Sequence, residues 1–254
     1  MPSLDYSAVI PAYNETARLA APLRAMAAWF RAQRKSFEII VSDDGSSDGT
    51  AALVEEMRQD IPELRLVKSP VNRGKGHAVR IGVLAANGAL VLVADADGAT
   101  PIEETAALEA ALAGADLAVG SRAMGGHVER RWYRHIIGRG FHALVHLFGV
   151  RGIRDTQCGF KLFKSAVARD LFALARMNGF SFDVEILLLA QRRGYQIAEV
   201  SVDWTHQAGS RINLVTDSVR MAMDLVRIRA RLLTERIETV VSSSDPQQLP
   251  TVRT

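Results

Sequence analysis

The residues best suited to chemistry in this 254-residue chain stand in polar clusters that each follow a short apolar run. Asp95-Ala96-Asp97 closes the run 89–94. Two hard carboxylate ligands one residue apart suit Mg²⁺ or Mn²⁺, which keep water and take their remaining ligands from a substrate diphosphate. Without an ion, the same aspartates would simply cap a helix that begins near Pro101. Asp43-Asp44-Gly45-Ser46-Ser47-Asp48-Gly49-Thr50 follows the β-type run 37–41 and opens a helix. Its glycines permit a tight backbone, and Asp44 could accept from a base N–H or a ribose hydroxyl; a helix cap with a turn is the plainer alternative. So acidic a loop cannot grip phosphate as a Walker-type cradle does. Asn72-Arg73-Gly74-Lys75-Gly76 is a basic glycine-rich turn before a helix, where backbone amides and two cations suit a diphosphate. A further polar pair, Asn14-Glu15, follows the run 6–10.

These clusters need elements to bring them together. Residues 16–32 carry Leu19, Leu23, Met26 and Phe30 at helical spacing. Residues 50–57 read as a helix capped around Asp48, 64–67 as a strand, 76–86 as a helix and 89–94 as a strand. Alternation of this kind predicts an α/β fold with a mainly parallel sheet and helices on both faces. Ligands of such sheets bind beyond the carboxyl ends of the strands, so the three clusters at strand ends, Asn14-Glu15, Asp43-Asp44 and Asp95 to Asp97, are expected along one edge. Further on, a helix over 102–112, a strand over 117–119, a helix over 182–191 and a strand over 197–202 are expected, with 155–163 a polar-to-apolar turn. Two basic amphipathic segments are also predicted. One, within 122–150, sets Ile136, Ile137, Phe141, Leu144, Val145 and Phe148 beside arginines; the other, 214–233, carries Arg220, Arg227, Arg229 and Arg231.

With 48% apolar residues, the chain can bury the core of one large domain, expected over 1–235 with halves 1–120 and 121–235. The Ser-, Pro- and Gln-rich end within 236–254 is expected to be disordered. The net charge is only +3, but Arg130, Arg131, Arg134, Arg139 and Arg151 crowd between Arg122 and Arg154, opposed chiefly by Glu129. That excess suits phosphate, anionic lipid or nucleic acid, or is a solvated basic face. A single cysteine, Cys158, forms no intramolecular disulfide and points to a reducing compartment. The N-terminus lacks the pattern of a signal peptide. No stretch reaches the ~20 apolar residues that span a bilayer, so any work on membranes is expected from the surface.

Taken together, Ile10-Pro11-Ala12-Tyr13-Asn14-Glu15, the Asp43–Thr50 run, Asn72–Gly76 and Ala94-Asp95-Ala96-Asp97 resemble, in order and spacing, the inverting GT-A glycosyltransferases. The second half narrows the likeness. Gly120-Ser121-Arg122, the segment with Arg139, Asp155-Thr156-Gln157-Cys158-Gly159-Phe160-Lys161-Leu162-Phe163 and Gly209-Ser210-Arg211 resemble the polyprenyl-phosphate sugar transferases. Asp97-Gly98-Ala99-Thr100 and Thr156–Lys161 are closer to the dolichyl-phosphate glucosyltransferases than to the mannosyl enzymes. The likeness covers roughly residues 6–230 and implies a Rossmann-like GT-A fold.

What the resemblance implies can be carried over position by position. Pro11, Tyr13, Glu15 and Asp44 would hold the nucleoside, and Lys75 would lie near the diphosphate. Asp95 and Asp97 would hold that diphosphate through Mg²⁺ or Mn²⁺, Asp97 as the direct ligand. Arg122, Arg139 and Arg211 would contact donor or acceptor phosphates. Mannosyl relatives often add a metal ligand two residues after the second aspartate; here that position is Ala99, so Thr100 or water completes the shell, or metal binding differs. The implied reaction moves a sugar, expected to be glucose from UDP-glucose, onto a lipid phosphate, from the cytoplasmic face of a membrane. A phosphate monoester is already an anion at neutral pH and needs arginines to position it more than a base. A hydroxyl acceptor would instead need a base, for which Asp155 and Glu185 are the candidates. Other donors such as GDP-mannose, a nucleotide-sugar or lipid-binding module, and a homo-oligomer remain open. Nucleic acid is not expected as a partner, because the strand-end clusters are acidic.

Overall fold

The computed structural model describes residues 4–123, 150, 152–205 and 214–235, with side chains in the last segment from 220 onward. Arg139, Arg211, the amphipathic segment 124–149 and the tail 236–254 lie outside the described residues.

A seven-stranded sheet divides two layers of helices. In chain order its strands are β1 (Tyr6–Ala12), β2 (Phe37–Asp43), β3 (Leu64–Lys68), β4 (Leu90–Val93), β5 (Leu117–Ser121), β6 (Lys161–Lys164) and β7 (Ile197–Ser201), arranged β3-β2-β1-β4-β6-β5-β7. β1, β2, β3 and β4 pair parallel, as do β5 and β7; β6 runs antiparallel between β4 and β5. The helices are α1 (Ala20–Ala32), α2 (Thr50–Met57), α3 (Lys75–Leu84), α4 (Thr105–Ala111), α5 (Ser165–Leu174), α6 (Phe182–Arg193) and α7 (Leu214–Thr234). A 3₁₀ turn, Ile102–Glu104, precedes α4.

Period-two alternation assigns the faces. Tyr6, Ala8, Ile10, Ile39, Val41, Leu92 and Ala118 pack with Leu23, Met26 and Phe30 of α1, Val54 of α2 and Leu108 of α4. Val9, Ile40, Val91, Val93 and Val119 pack on the other side with Val79 and Val83 of α3, Leu171 of α5, Leu187 of α6 and Leu225 of α7. β1 and β2, covered on both faces, are buried at every position, as parallel strands between helices must be.

Three expectations need correction. The first helix begins at Ala20, not Thr16: Glu15 O accepts from both Arg18 N and Leu19 N, a turn that sets the chain's angle before α1. β1 continues through Pro11 rather than ending with the apolar run at Ile10. β4 accompanies β1 only as far as Val9, whose carbonyl accepts from Ala94 N, so the missing N–H of Pro11 falls beyond that ladder. Finally, 155–163 is not all turn: it ends in β6, and α5 follows directly. Four residues beginning and ending in lysine carry no legible period. Lys161 is buried there by an ion pair that only the tertiary structure supplies.

The bottom of the sheet closes on a polar knot. Ser7 Oγ donates to Glu38 (2.6 Å) and accepts from Gly88 N (2.7 Å), Glu38 accepts from Asn87 N (2.7 Å), and Arg65 pairs with Glu38 from outside. A Cβ on Gly88 would lie 2.4 Å from Ser7 N and from Tyr6 C, both backbone atoms that cannot give way. Gly88→Ala is therefore expected to cost about 2 kcal/mol or more in urea unfolding. Gly114→Ala, where an added methyl would meet nothing within 4 Å, should change stability by less than about 0.5 kcal/mol.

Candidate active site

Because β1, β2, β3 and β4 are parallel, their carboxyl ends share one edge. The three expected clusters emerge there, Asn14-Glu15 after β1, Asp44 after β2 and Asp95 to Asp97 after β4, and Asn72–Lys75 joins them after β3. β1 and β4 form the switch point, where sheets of this kind open a crevice. β5 runs in the same sense and delivers Arg122 to that edge. Antiparallel β6 begins where β4 and β5 end, Lys161 pairing with Val93 and Val119, so the loop before it reaches the site from the far side.

That arrival is tight. A Cβ on Gly159 would stand 2.2 Å from Asp95 Oδ2 and 2.5 Å from its Cγ. The 155–163 segment and the Asp95 cluster therefore touch, and any side chain at 159 would have to push the Asp95 carboxylate aside.

Charge alternates through the contact. Lys75 Nζ stands 2.5 Å from Asp95 Oδ1. That buried oxygen is therefore held by the Lys75 ammonium. Lys161 Nζ, itself buried, donates to Cys158 O and to Asp183 Oδ1 (2.5 Å). Arg122 grips Asp155 bidentately, Nε to Oδ2 at 2.7 Å and Nη2 to Oδ1 at 2.9 Å, and lies over the Trp204 ring. Burial pushes the Asp95 carboxyl up, but Lys75, Lys161 and Arg122 together hold it below the usual range. Asp97 goes the other way, raised by burial and by the Asp95 charge. Ala99 N donates to Asp97 Oδ1 (3.1 Å) while Ala99 O accepts from Thr205 N (2.9 Å), so Ala99 holds the loop through its backbone. Beside the two carboxylates opens a cavity of about 450 Å³, walled by Pro22, Met26, Ile102 and Phe160.

The donor-side residues divide into lining and scaffold. Tyr13 is 38% exposed at the rim. Glu15 is tied to Arg18 by two hydrogen bonds, 2.8 and 2.6 Å. Asp44 is only 2% exposed; its Oδ2 accepts from Arg73 N (2.9 Å) and Gly74 N (2.6 Å), and its Oδ1 faces His77 Nδ1 at 3.2 Å. The glycine-rich turn thus hangs from Asp44. Ser46 Oγ accepts from Asn14 N (2.8 Å), Asn14 Oδ1 from Ser47 N (2.8 Å), and Asp48 Oδ1 from Thr50 N (3.0 Å). The acidic run therefore does what the plainer alternative expects: it bonds the first turn of α2 and staples the β1 loop.

Comparison with known proteins decides what kind of site this is. The profile of the family described as "Glycosyl transferase family 2" matches residues 7–172. The chain belongs to that family.

This family 2 glycosyltransferase is 40% identical to the dolichyl-phosphate beta-glucosyltransferase of Dictyostelium discoideum, over 89% of this chain and 74% of that one. It is 37% identical to the human dolichyl-phosphate beta-glucosyltransferase, over 92% and 77%. Among solved structures, mannosyl-3-phosphoglycerate synthase from Rubrobacter xylanophilus superposes with a TM-score of 0.66 at 20% identity, covering 91% of this chain and 74% of that one. Glucosyl-3-phosphoglycerate synthase from Mycobacterium tuberculosis, solved with Mn²⁺, UDP-glucose and phosphoglyceric acid, gives 0.67 at 20%, over 89% and 80%. The GT-A fold that the resemblance implies is thus the fold found.

The residues present suit a divalent cation. Asp95 offers a buried carboxylate oxygen already facing a positive charge, that of Lys75, and Asp97 is a carboxylate disfavoured by its neighbour's charge, which a dication would relieve. No group of three His, Cys, Asp or Glu able to hold a metal occurs among the described residues, so diphosphate oxygens or water must complete the shell.

Sequence reading missed Asp183 and the role of Lys161. A helix opening Phe182-Asp183-Val184-Glu185, with both acids buried, breaks the amphipathic pattern, and that break was the available signal. Asp155 and Glu185, the base candidates, are both engaged: Asp155 by Arg122, and Glu185 by Arg176 N, Met177 N and Arg231 Nη1.

Two outcomes follow. Gly159→Ala should cut kcat/KM about a hundredfold or more by displacing the Asp95 carboxylate. Burial pushes the Asp155 carboxyl up, but the Arg122 bonds and charge outweigh it and bring it down to about 2. A depressed carboxyl adds stability present above its unfolded pKa and lost as pH falls through the folded one, here about 2 kcal/mol between about pH 4 and 2. Asp155→Asn should lower stability at neutral pH and make that acid limb shallower in pH-dependent thermal unfolding.

Proposed function

We propose that this glycosyltransferase moves glucose from UDP-glucose to a polyprenyl- or dolichyl-type lipid phosphate, with Mg²⁺ or Mn²⁺, from the cytoplasmic surface of a membrane. The observation that carries the reading is the 40% identity, over 89% of the chain, to an enzyme named for dolichyl phosphate and glucose.

The chemistry follows from the groups along the crevice. Pro11, Tyr13 and Glu15 border the place of the nucleoside, and Asp44 acts from below by fixing the turn that carries Lys75. A divalent cation held by Asp97 and Asp95 would supply Lewis-acid stabilisation of the departing diphosphate. The acceptor phosphate oxygen attacks the anomeric carbon from the face opposite the leaving group; the new C–O bond forms as the bond to the nucleoside diphosphate breaks, and the configuration inverts. No proton has to be removed, because a phosphate monoester is already an anion. This agrees with Asp155 and Glu185 being occupied elsewhere. Arg122, rigid against Asp155 and Trp204, offers a fixed positive charge for orientation, and Arg139 and Arg211 are proposed to add to it.

Attachment to a membrane surface is supported by α7. Its Leu225, Ile228 and Leu232 are buried, while Met223, Val226 and Leu233 form a second, exposed apolar line beside Arg220 and Arg227. No helix among the described residues is long and apolar enough to cross a membrane.

Purified protein with Mg²⁺, UDP-glucose and a polyprenyl phosphate should yield a glucolipid whose linkage breaks in mild acid. GDP-mannose and UDP-N-acetylglucosamine run alongside should give little product. Asp97→Ala should lower turnover at least about a hundredfold with an unshifted melting temperature. An acid-stable product would mean a hydroxyl acceptor, and full turnover by Asp97→Ala would rule out the metal-assisted departure.

A further inference from the structure

We propose that Lys75 is the resident counter-ion of Asp95 and gives up that place when the donor arrives, so that cation and nucleoside diphosphate bind as one cooperative unit. The inference rests on the donor and cation reading above and adds an order of events inside the site.

The backbone around Lys75 is immobilised. Asp44 holds Arg73 N and Gly74 N, and His77 N donates to Asn178 O (3.2 Å). A Cβ on Gly74, where φ is +111°, would fall 2.5 Å from Asn178 O, and one on Gly76 would fall 2.5 Å from Met177 O. The turn is pressed against the segment before α6 with no slack. Only the side chain can move, and lysine brings four rotatable bonds and a compact charge.

Of the three cations that bias Asp95, two are fixed. Lys161 is buried between Asp183 and Cys158 O, and Arg122 is clamped by Asp155. Lys75 has no acceptor besides Asp95 among the described residues, and its side chain is 23% exposed. Its ammonium stands 2.5 Å from Oδ1 of the carboxylate on which the cation reading depends. An ammonium and a dication cannot share one carboxylate oxygen without strong repulsion.

Without a diphosphate, displacing Lys75 leaves an ammonium with no partner, and the cation binds against that cost. With a diphosphate, Lys75 turns onto the phosphate oxygens and the carboxylate is released. Each ligand then improves the affinity for the other by the same factor.

The test is Mn²⁺ binding measured from the free-ion electron paramagnetic resonance signal, with and without UDP. The wild-type protein should bind Mn²⁺ weakly alone and more tightly with UDP. Lys75→Gln should bind Mn²⁺ alone about fivefold to tenfold more tightly than wild type, and UDP should add much less. Lys75→Arg, which keeps the charge, should stay close to wild type. If UDP strengthens Mn²⁺ binding to the wild type but Lys75→Gln binds the bare ion no better, the counter-ion idea fails and the donor and cation reading stands. If no form binds Mn²⁺ under either condition, both fail. A readout on the wild type does not depend on the variants folding: with ¹³Cε-labelled lysine, the Lys75 resonance should shift on adding Mg²⁺ and UDP together, and a stationary signal overturns the proposal.

Discussion

The ionised Asp95 carboxylate, set at the end of a buried strand, is the constraint to which the rest of the site answers. A charge in that position is tolerable only where opposite charges and hydrogen bonds surround it. Lys75, Lys161 and Arg122 supply the positive charge, and Asp183 and Asp155 neutralise two of those three in turn. The result is an alternating array in which each group is drawn from a different place in the chain: α3, the loops after β4 and β5, β6, α6 and the loop before β6. Removing one member strands its partner, so the array ties folding to the integrity of the site.

The sheet order makes this convergence possible. Four parallel strands bring the donor side to one edge, and a parallel continuation would carry the next loop away from it. Reversing β6 sends its amino-terminal end there instead. The Gly159 approach to Asp95 follows, and so does the burial of Lys161 beside Val93 and Val119. The same reversal places the two halves of the chain in one continuous sheet.

Rigid and movable parts are also separated. The acidic loop after β2 spends its side chains on backbone groups of the β1 loop, the glycine-rich turn and the start of α2. It therefore works as a frame whose own carboxylates are largely consumed. Asp97, with its carboxyl raised by burial and by Asp95, is the group left with the most to gain from an incoming positive charge.

Period and spacing in the sequence determined the alternation of strands and helices, the mainly parallel sheet, and the emergence of Glu15, Asp44, Asp95 and Asp97 on a common edge. These are local properties: apolar runs of fixed length, each ended by polar residues, leave little choice of topology. The sequence could not reveal β6, the bond between Lys161 and Asp183, or the division of labour that makes Asp44 a support. Those depend on contacts between residues distant in the chain, such as the 22 positions from Lys161 to Asp183 and the 30 from Asp44 to Gly74. A buried lysine or aspartate reads as a solvated residue until its partner is in place, and only the folded chain puts the partner there.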